Sequence, residues 1–391
     1  MMAQERIEQA SEIMRRFWER TGADEPGGGR RYLWTDAFAV CNLLGLERAT
    51  GDPEHGRRAH RLVDAVHTAL GHHRSDDSRR GWLSGLPEVP GRQAPTSGGL
   101  RIGKALPERP VGVAADERLE WQRDGQYFHY LTKWMHALDQ MARFFGASVY
   151  AQWARELMAV AHRAFTHAVR GGAPGVYWKM SIDLSRPQVR TMGHHDPLDG
   201  LVTALELAAT ARRQPVDSGP QALPAAGAGG DLDSDLDAIA ADFEAMVDRG
   251  ALATTDPLGL GGLLGDACRL RQLATRDDLR DDILTGALHG LRHSLLPREL
   301  AFPAEQRLAF RELGLAIGLA SVARMVEIPP VLPVVQQLAQ FLPLRAQIES
   351  YWLRAEARRA RTWLAHEDIN EVMLATSLLP EGFLDLTPSR C

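Results

Sequence analysis

An all-α chain built from paired helices is the fold class that the sequence predicts, and three observations predict it. Apolar residues recur at helical spacing along nearly the whole length, and runs of alternating β-branched residues are almost absent. Amphipathic segments alternate with segments that are apolar on nearly all sides, the pattern of helices half in water beside helices that are buried. Near the start of each buried segment stands an acid: Asp36, Asp124, Asp196, Asp256, Glu312 and Asp368. Their intervals run 88, 72, 60, 56 and 56 residues, shortening toward the length of one helical hairpin with its loops. Six hairpins in a single domain over 1–391 is the simplest organisation that fits.

The amphipathic members are expected at 5–20, 54–71, 147–168, 232–249, 279–293 and 332–361, the last broken or bent. Between them lie AFAVCNLLGL (37–46), the stretch 124–145, LVTALELAAT (201–210), LGLGGLLGDA (258–267), LGLAIGLASVA (313–323) and NEVMLATSLL (370–379). If the two kinds alternate antiparallel, every connection from an outer to an inner helix falls on one face. The long loops 72–123 and 169–195 are both of this kind, so that face is elaborate. Within the second of them, Val176–Asp183 (VYWKMSID) is the best candidate for a strand, as a short β-hairpin at the rim. QPVDSGPQALPAAGAGG (214–230) connects an inner to an outer helix, and its composition predicts a flexible loop on the opposite, back face.

Hydrophobic residues at 45% and charged residues at 24% are ordinary for a globular chain. A formal charge of −5, with no basic run interleaved with aromatics, argues against a nucleic-acid partner. The N-terminal segment carries acids and no apolar signal core, and no stretch is long and apolar enough for a membrane span, so a cytoplasmic protein without a membrane partner is expected. Cys41, Cys268 and Cys391 make neither a disulfide framework nor a metal-ligand spacing, and no cofactor is expected. Composition leaves the oligomeric state open.

Candidate chemistry gathers where the buried helices begin. In MGHHDPLDGL (192–201), Asp196 followed by Pro197 reads as an N-cap with proline at the first helical position, and Asp199 falls at the third. Capping accounts for both acids but not for the adjacent histidines. Neighbouring histidines diverge too much for one metal ion, so His195 reads either as an acid/base group or as a side chain tied to its loop. Trp34-Thr35-Asp36 opens the first buried helix, Asp124 with Tyr127 and His129 the second, Arg311-Glu312 the fifth and His366-Glu367-Asp368 the sixth. Aromatic rings beside carboxylates suit a sugar, with its C–H faces and rim of hydroxyls. His129, Lys133, His136 and Gln140 form a polar stripe on an otherwise apolar helix and need partners or a wet cavity. Arg101 and Lys104, set among the glycines of SGGLRIGK (97–104), could take an anionic group of a small-molecule substrate. Trp178 is either core packing or a sugar platform.

In this arrangement, with inner segments such as YLWTDAFAVCNLLGL (32–46) and DGQYFHYLTKWMHAL (124–138), the chain resembles the (α/α)6 toroids of the six-hairpin glycosidase-like superfamily and the N-acylglucosamine 2-epimerase-like enzymes. The resemblance implies an active site in the mouth of the toroid, at the N-terminal ends of the inner helices. Two chemistries compete there. Glycoside hydrolysis would use two carboxyl groups among Asp36, Asp124 and Asp199, and a carboxylate at a helix N-terminus suits the base, leaving the acid to a drier position that the sequence does not locate. Epimerisation or isomerisation of a sugar would use a histidine pair, His195 and His366. Hydrolysis stands slightly ahead. Dehydration or isomerisation of a non-sugar alcohol, and sugar binding without catalysis, are the further alternatives. Substrate contacts are expected from Trp34, Arg101, Lys104, Tyr127, His129, Trp178, Glu312 and Glu367.

Overall fold

The computed structural model of the chain describes residues 2–25, 28–168, 174–213 and 232–387. The expected flexible loop 214–230 lies outside the described residues. Twelve long helices are found among the described residues: α1 (Ala3–Thr21), α2 (Leu33–Thr50), α3 (Glu54–Leu70), α4 (Phe128–Phe145), α5 (Ser148–Phe165), α6 (Asp196–Arg213), α7 (Leu232–Met246), α8 (Pro257–Leu273), α9 (Asp277–His293), α10 (Ala309–Val326), α11 (Leu342–Trp352) and α12 (Glu367–Leu378). The even-numbered helices are buried along most of their length, whereas the odd-numbered ones bury one stripe, as the alternating sequence pattern requires. The expected 332–361 helix is broken, into Pro333–Leu338, a 3₁₀ turn at Ala339–Phe341, and α11. Among the described residues no helix is long and apolar enough to cross a membrane.

The described residues form two compact units, those within 1–20, 41–59 and 248–386 in the first, and those within 21–40, 60–247 and 387 in the second. In the first, α10 packs on α8, α11 and α12, and α8 packs on α9. The small residues of LGLGGLLG and LGLAIGLAS let α8 and α10 approach backbone to backbone. A Cβ at Gly261 would stand 2.1 Å from the Gly314 carbonyl oxygen, while one at Gly262 would meet nothing within 4 Å. Opposite signs should therefore appear in chemical denaturation. Gly261→Ala is expected to destabilise by about 1–3 kcal/mol through overpacking, and Gly262→Ala to stabilise by up to about 1 kcal/mol through helix propensity. Equal shifts for the two would mean that the helices do not touch there.

In the second unit, α4 packs on α5 and α6, and α6 packs on α7. The short strands β1 (Gln126–Tyr127), β4 (Lys179–Met180) and β5 (Pro187–Val189) form an antiparallel three-stranded sheet, and β2 (Thr166–His167) pairs with β3 (Gly175–Val176). The strand expected within 176–183 is present as Lys179–Met180, but its hairpin partner is Pro187–Val189, beyond that stretch, and β1 pairs with its other edge, while Val176 belongs to the second sheet. The two long loops are stitched together: Arg79 bridges Asp77, Glu108 and Asp183, and Glu108 accepts the Ile182 N–H at 2.7 Å. This agrees with the expectation that both loops lie on one side.

The acids gather at the helix starts but seldom as caps. Asp256 alone behaves as expected, accepting the Gly259 N–H at 2.9 Å with Pro257 at the first position of α8. Asp124 does not open a helix, because the glycine after it leads into strand β1 and α4 begins only at Phe128. Asp196 is not the N-cap of α6. The first intrahelical bond runs from Asp199 N–H to the His195 carbonyl, which moves the capping position back to His195.

Candidate active site

Ten of the candidate residues belong to the second unit, on or near β1, β4 and the first turns of α2, α4 and α6. Pairing of Tyr127 with Lys179 in the small sheet sets Tyr127 beside Trp178, their rings stacked at 5.5 Å and 22°. His129 stacks on both, at 5.5 Å from Tyr127 and 6.1 Å from Trp178. Trp34 packs edge-on to His129 at 5.9 Å and against Tyr130 at 5.2 Å. Tyr32 and Tyr130 join hydroxyl to hydroxyl at 2.7 Å, and burial pushes the Tyr32 phenol up to about 12, so both remain neutral donors. Trp178 serves as packing for one face of the site and as part of its wall.

His129 has a defined role in this cluster. Its Nδ1 accepts the Trp178 indole N–H at 3.2 Å, which leaves the ring proton on Nε2. Burial lowers its pKa to about 3, an effect that Lys133 and Lys104 reinforce and Asp199 opposes. The imidazole is therefore neutral near pH 7 and offers an N–H donor rather than a titrating acid.

The polar stripe of α4 finds its partners on α6. Lys133 Nζ binds Asp199 Oδ1 at 2.6 Å, and Thr132 donates its hydroxyl to Asp199 Oδ2 at 2.6 Å. One turn deeper, His136 Nδ1 meets Glu206 at 2.7 Å. Asp199 is thus ionised and fixed by a cation. Asp196, three residues before it, is 6% exposed and turns its carboxyl back onto the Gly193 N–H at 3.0 Å. Burial first, and then the charge of Asp199, push its pKa up to about 7. The two carboxyls differ in environment although they share one turn of helix: one is dry and held by a single amide, the other is ion-paired. His195 immediately precedes Asp196 in sequence and is half-buried, with its ring 4.3 Å from that of His194.

Two further acids are already committed to the protein. Asp36 pairs with the buried Arg31 at 3.2 Å and accepts the Tyr32 N–H at 2.9 Å. Asp124 is fully buried and takes Arg101 Nη1 at 2.6 Å, Arg74 Nη1 at 3.4 Å, and the N–H groups of Gly103, Lys104 and Gly125 at 3.0–3.3 Å. The glycine- and cation-bearing loop expected to bind an anion does bind one, and that anion is Asp124 of the same chain. Lys104 donates to the Trp121 carbonyl and lies over the Tyr127 ring at 5.6 Å.

The other three candidates belong to the first unit. Glu312 receives Arg307 in a bidentate pair at 2.8 and 2.6 Å and the Trp352 indole N–H at 2.8 Å, a closed buried set. His366 occupies the capping position of α12 without a side-chain cap bond and packs edge-on to Phe310 at 5.4 Å. Glu367 lies 3.7 Å from Arg20, which binds the neighbouring Asp368 at 2.8 Å and Glu371 at 2.7 Å. Sequence reasoning missed Tyr32, Tyr130 and the buried carboxyl of Asp196 with its raised pKa. Lys133 was visible as a member of the stripe, but its counter-ion lies 66 residues further on.

No protein-family model and no curated protein sequence matches the chain. Solved structures do match its fold. The unsaturated glucuronyl hydrolase from Bacillus sp. GL1 superposes with a TM-score of 0.58 at 13% identity, over 100% of both chains. An inactive variant of the α-1,6-mannanase GH76A of Salegentibacter sp. HEL1_6, bound to α-1,6-mannotetrose and altered at two consecutive aspartates, gives 0.57 at 12% identity, over 97% of this chain and 99% of that one. The cellobiose 2-epimerase from Spirochaeta thermophila gives 0.50 at 11% identity, over 97% and 96%. The chain accordingly has the (α/α)6-toroid fold of the six-hairpin glycosidase-like proteins.

Proposed function

We propose that the chain is a carbohydrate-active enzyme that hydrolyses a glycosidic bond, with Asp196 as general acid and Asp199 as the carboxylate that activates water. The observation that carries this reading is the contrast between those two carboxyls at the start of α6, one with its pKa raised to about 7 by burial and the other fixed by Lys133. Glycoside hydrolysis needs one carboxyl protonated to meet the leaving oxygen and one ionised to act on the other side of the sugar. The rings of Trp34, Tyr127, Tyr130 and Trp178 supply apolar faces beside them, and His129 adds a neutral donor for a sugar hydroxyl. Support also comes from the mannanase of the same fold, which is inactive when two consecutive aspartates are replaced. A cytoplasmic setting belongs to the same proposal, in keeping with the buried free thiols of Cys41 and Cys268.

Release of reducing ends from a panel of oligosaccharides tests the reaction class. Reducing ends that appear with wild type and vanish with Asp199→Asn are the expected result. Epimerisation is the second reading, favoured by the likeness to cellobiose 2-epimerase and by His195 next to the acid pair. A changed sugar configuration by proton NMR, without new reducing ends, would replace the first reading with the second.

The raised Asp196 pKa fixes a pH dependence. Turnover should fall about tenfold per pH unit above pH 7, as the acid loses its proton. Stability follows the same group. Its folded pKa lies above the ordinary 3.8, so the stability it contributes is complete below about pH 4 and is lost as pH rises through 7. Asp196→Asn is expected to lose turnover throughout and to lack this loss of melting temperature between pH 4 and 8. A variant whose melting curve follows the wild-type pH dependence would place the titration elsewhere.

A further inference from the structure

Beside this site in the second unit, a cavity of about 580 Å³ opens between the segments 109–127 and 178–191. Its volume is that of a small-molecule site. Tyr127 and Trp178 belong both to its lining and to the ring cluster around His129, so the cavity adjoins the proposed reaction centre. Trp121 meets Trp178 edge-on at 4.5 Å and remains 51% exposed, an apolar face left open to a ligand.

The charge of the lining is one-sided. Arg109, Arg186 and Arg190 face a single carboxylate, Glu120, and Arg109 already holds it at 2.5 Å. Arg186 donates one nitrogen to the Arg109 carbonyl, and Arg190 is exposed. Neither of these two makes an ion pair among the described residues. In a chain of formal charge −5, two guanidinium groups without counter-ions at an aromatic-floored cavity call for an anion on the ligand.

We propose that this cavity is a subsite for an acidic saccharide, in which Trp121 and Trp178 carry a sugar face and Arg186 and Arg190 take its carboxylate or sulfate. The inference rests on the carbohydrate reading above and names the substrate class for the same site. It also moves the anion-binding function expected of Arg101 and Lys104 to a different pair of cations.

Intrinsic tryptophan fluorescence of the full chain, titrated with a glucuronate-containing disaccharide, its carboxyl-reduced neutral analogue and a sulfated disaccharide, tests it. The full chain is expected to bind one or both acidic sugars about tenfold or more tighter than the neutral one, the scale of a charge-assisted hydrogen bond. The better acidic ligand identifies carboxylate or sulfate as the recognised group. Arg186→Gln/Arg190→Gln should remove that preference, and Arg190→Gln alone, an exposed change that does not threaten folding, should remove part of it. Equal binding of acidic and neutral sugars by the wild type, or a preference that survives the double substitution, overturns this inference and leaves the hydrolase proposal standing. Absence of any saccharide binding or turnover overturns both.

Discussion

Asp199→Asn is expected to lower turnover by about 10²–10⁴-fold, the range for loss of a positioned acid or base, in protein that still folds. The carboxylate is oriented by Lys133 Nζ at 2.6 Å and the Thr132 hydroxyl at 2.6 Å, so its geometry is fixed before any substrate arrives. An amide keeps the size of the side chain but removes the charge that would draw a proton from water. It also leaves Lys133 without its counter-ion. With side chains 15% and 11% exposed, the pair is partly buried, and a loss of about 1–2 kcal/mol accompanies the change. Lys133→Met approaches the same carboxylate from the other side. Without the ammonium the Asp199 carboxyl is held less firmly in its ionised form, and the acid limb of the pH–rate profile should move upward while folding is retained. Single-turnover rates and thermal melts on both variants decide the matter. Parent-like turnover by Asp199→Asn would remove the start of α6 from the chemistry.

The helices were legible because their signals are local. A 3.6-residue apolar period, the small residues of α8 and α10, and Asp256 followed by Pro257 each act within a few residues of themselves, and the structure places helices accordingly. The same holds for the elaborate side, since two long loops between outer and inner helices had to meet there. The neutralising partners of the acids were not legible, because those depend on where distant loops return. Asp124 is held by Arg101 and Arg74, and Glu312 by Arg307 together with Trp352, 40 residues further on. An acid near a helix start announces itself in sequence, but the group that consumes its charge does not. Asp196 shows how little separates the two cases. A shift of the capping position by one residue, to His195, turns an expected cap into a buried acid facing back onto Gly193. A dry carboxyl of the kind that the proposed hydrolysis needs thus lies in the motif 192–201, where the sequence reads it as a cap.

Asp124 gives the sharpest separation between a residue that reacts and one that holds the site together. Asp124→Ala is expected to cost about 3–5 kcal/mol of stability, as breaking a buried ion pair does by leaving one charge uncompensated. The side chain of Arg101 is only 10% exposed and would lose its carboxylate partner, and the N–H groups of Gly103, Lys104 and Gly125 would lose their acceptor together. The loop they belong to also carries Lys104 against Tyr127, so loosening it reaches the ring cluster indirectly. Urea denaturation of Asp124→Ala should show a lowered midpoint. Its residual activity per folded molecule should fall far less than that of Asp199→Asn, because no reacting group has been removed. A base at position 124 would produce the reverse pattern: parent-like stability, since a reacting carboxylate is not the anchor of its loop, and turnover lost by two orders of magnitude or more. Measuring the midpoint and the rate on the same preparation separates these outcomes, and a stable, inactive Asp124→Ala would move the catalytic carboxylate from α6 to the turn before α4.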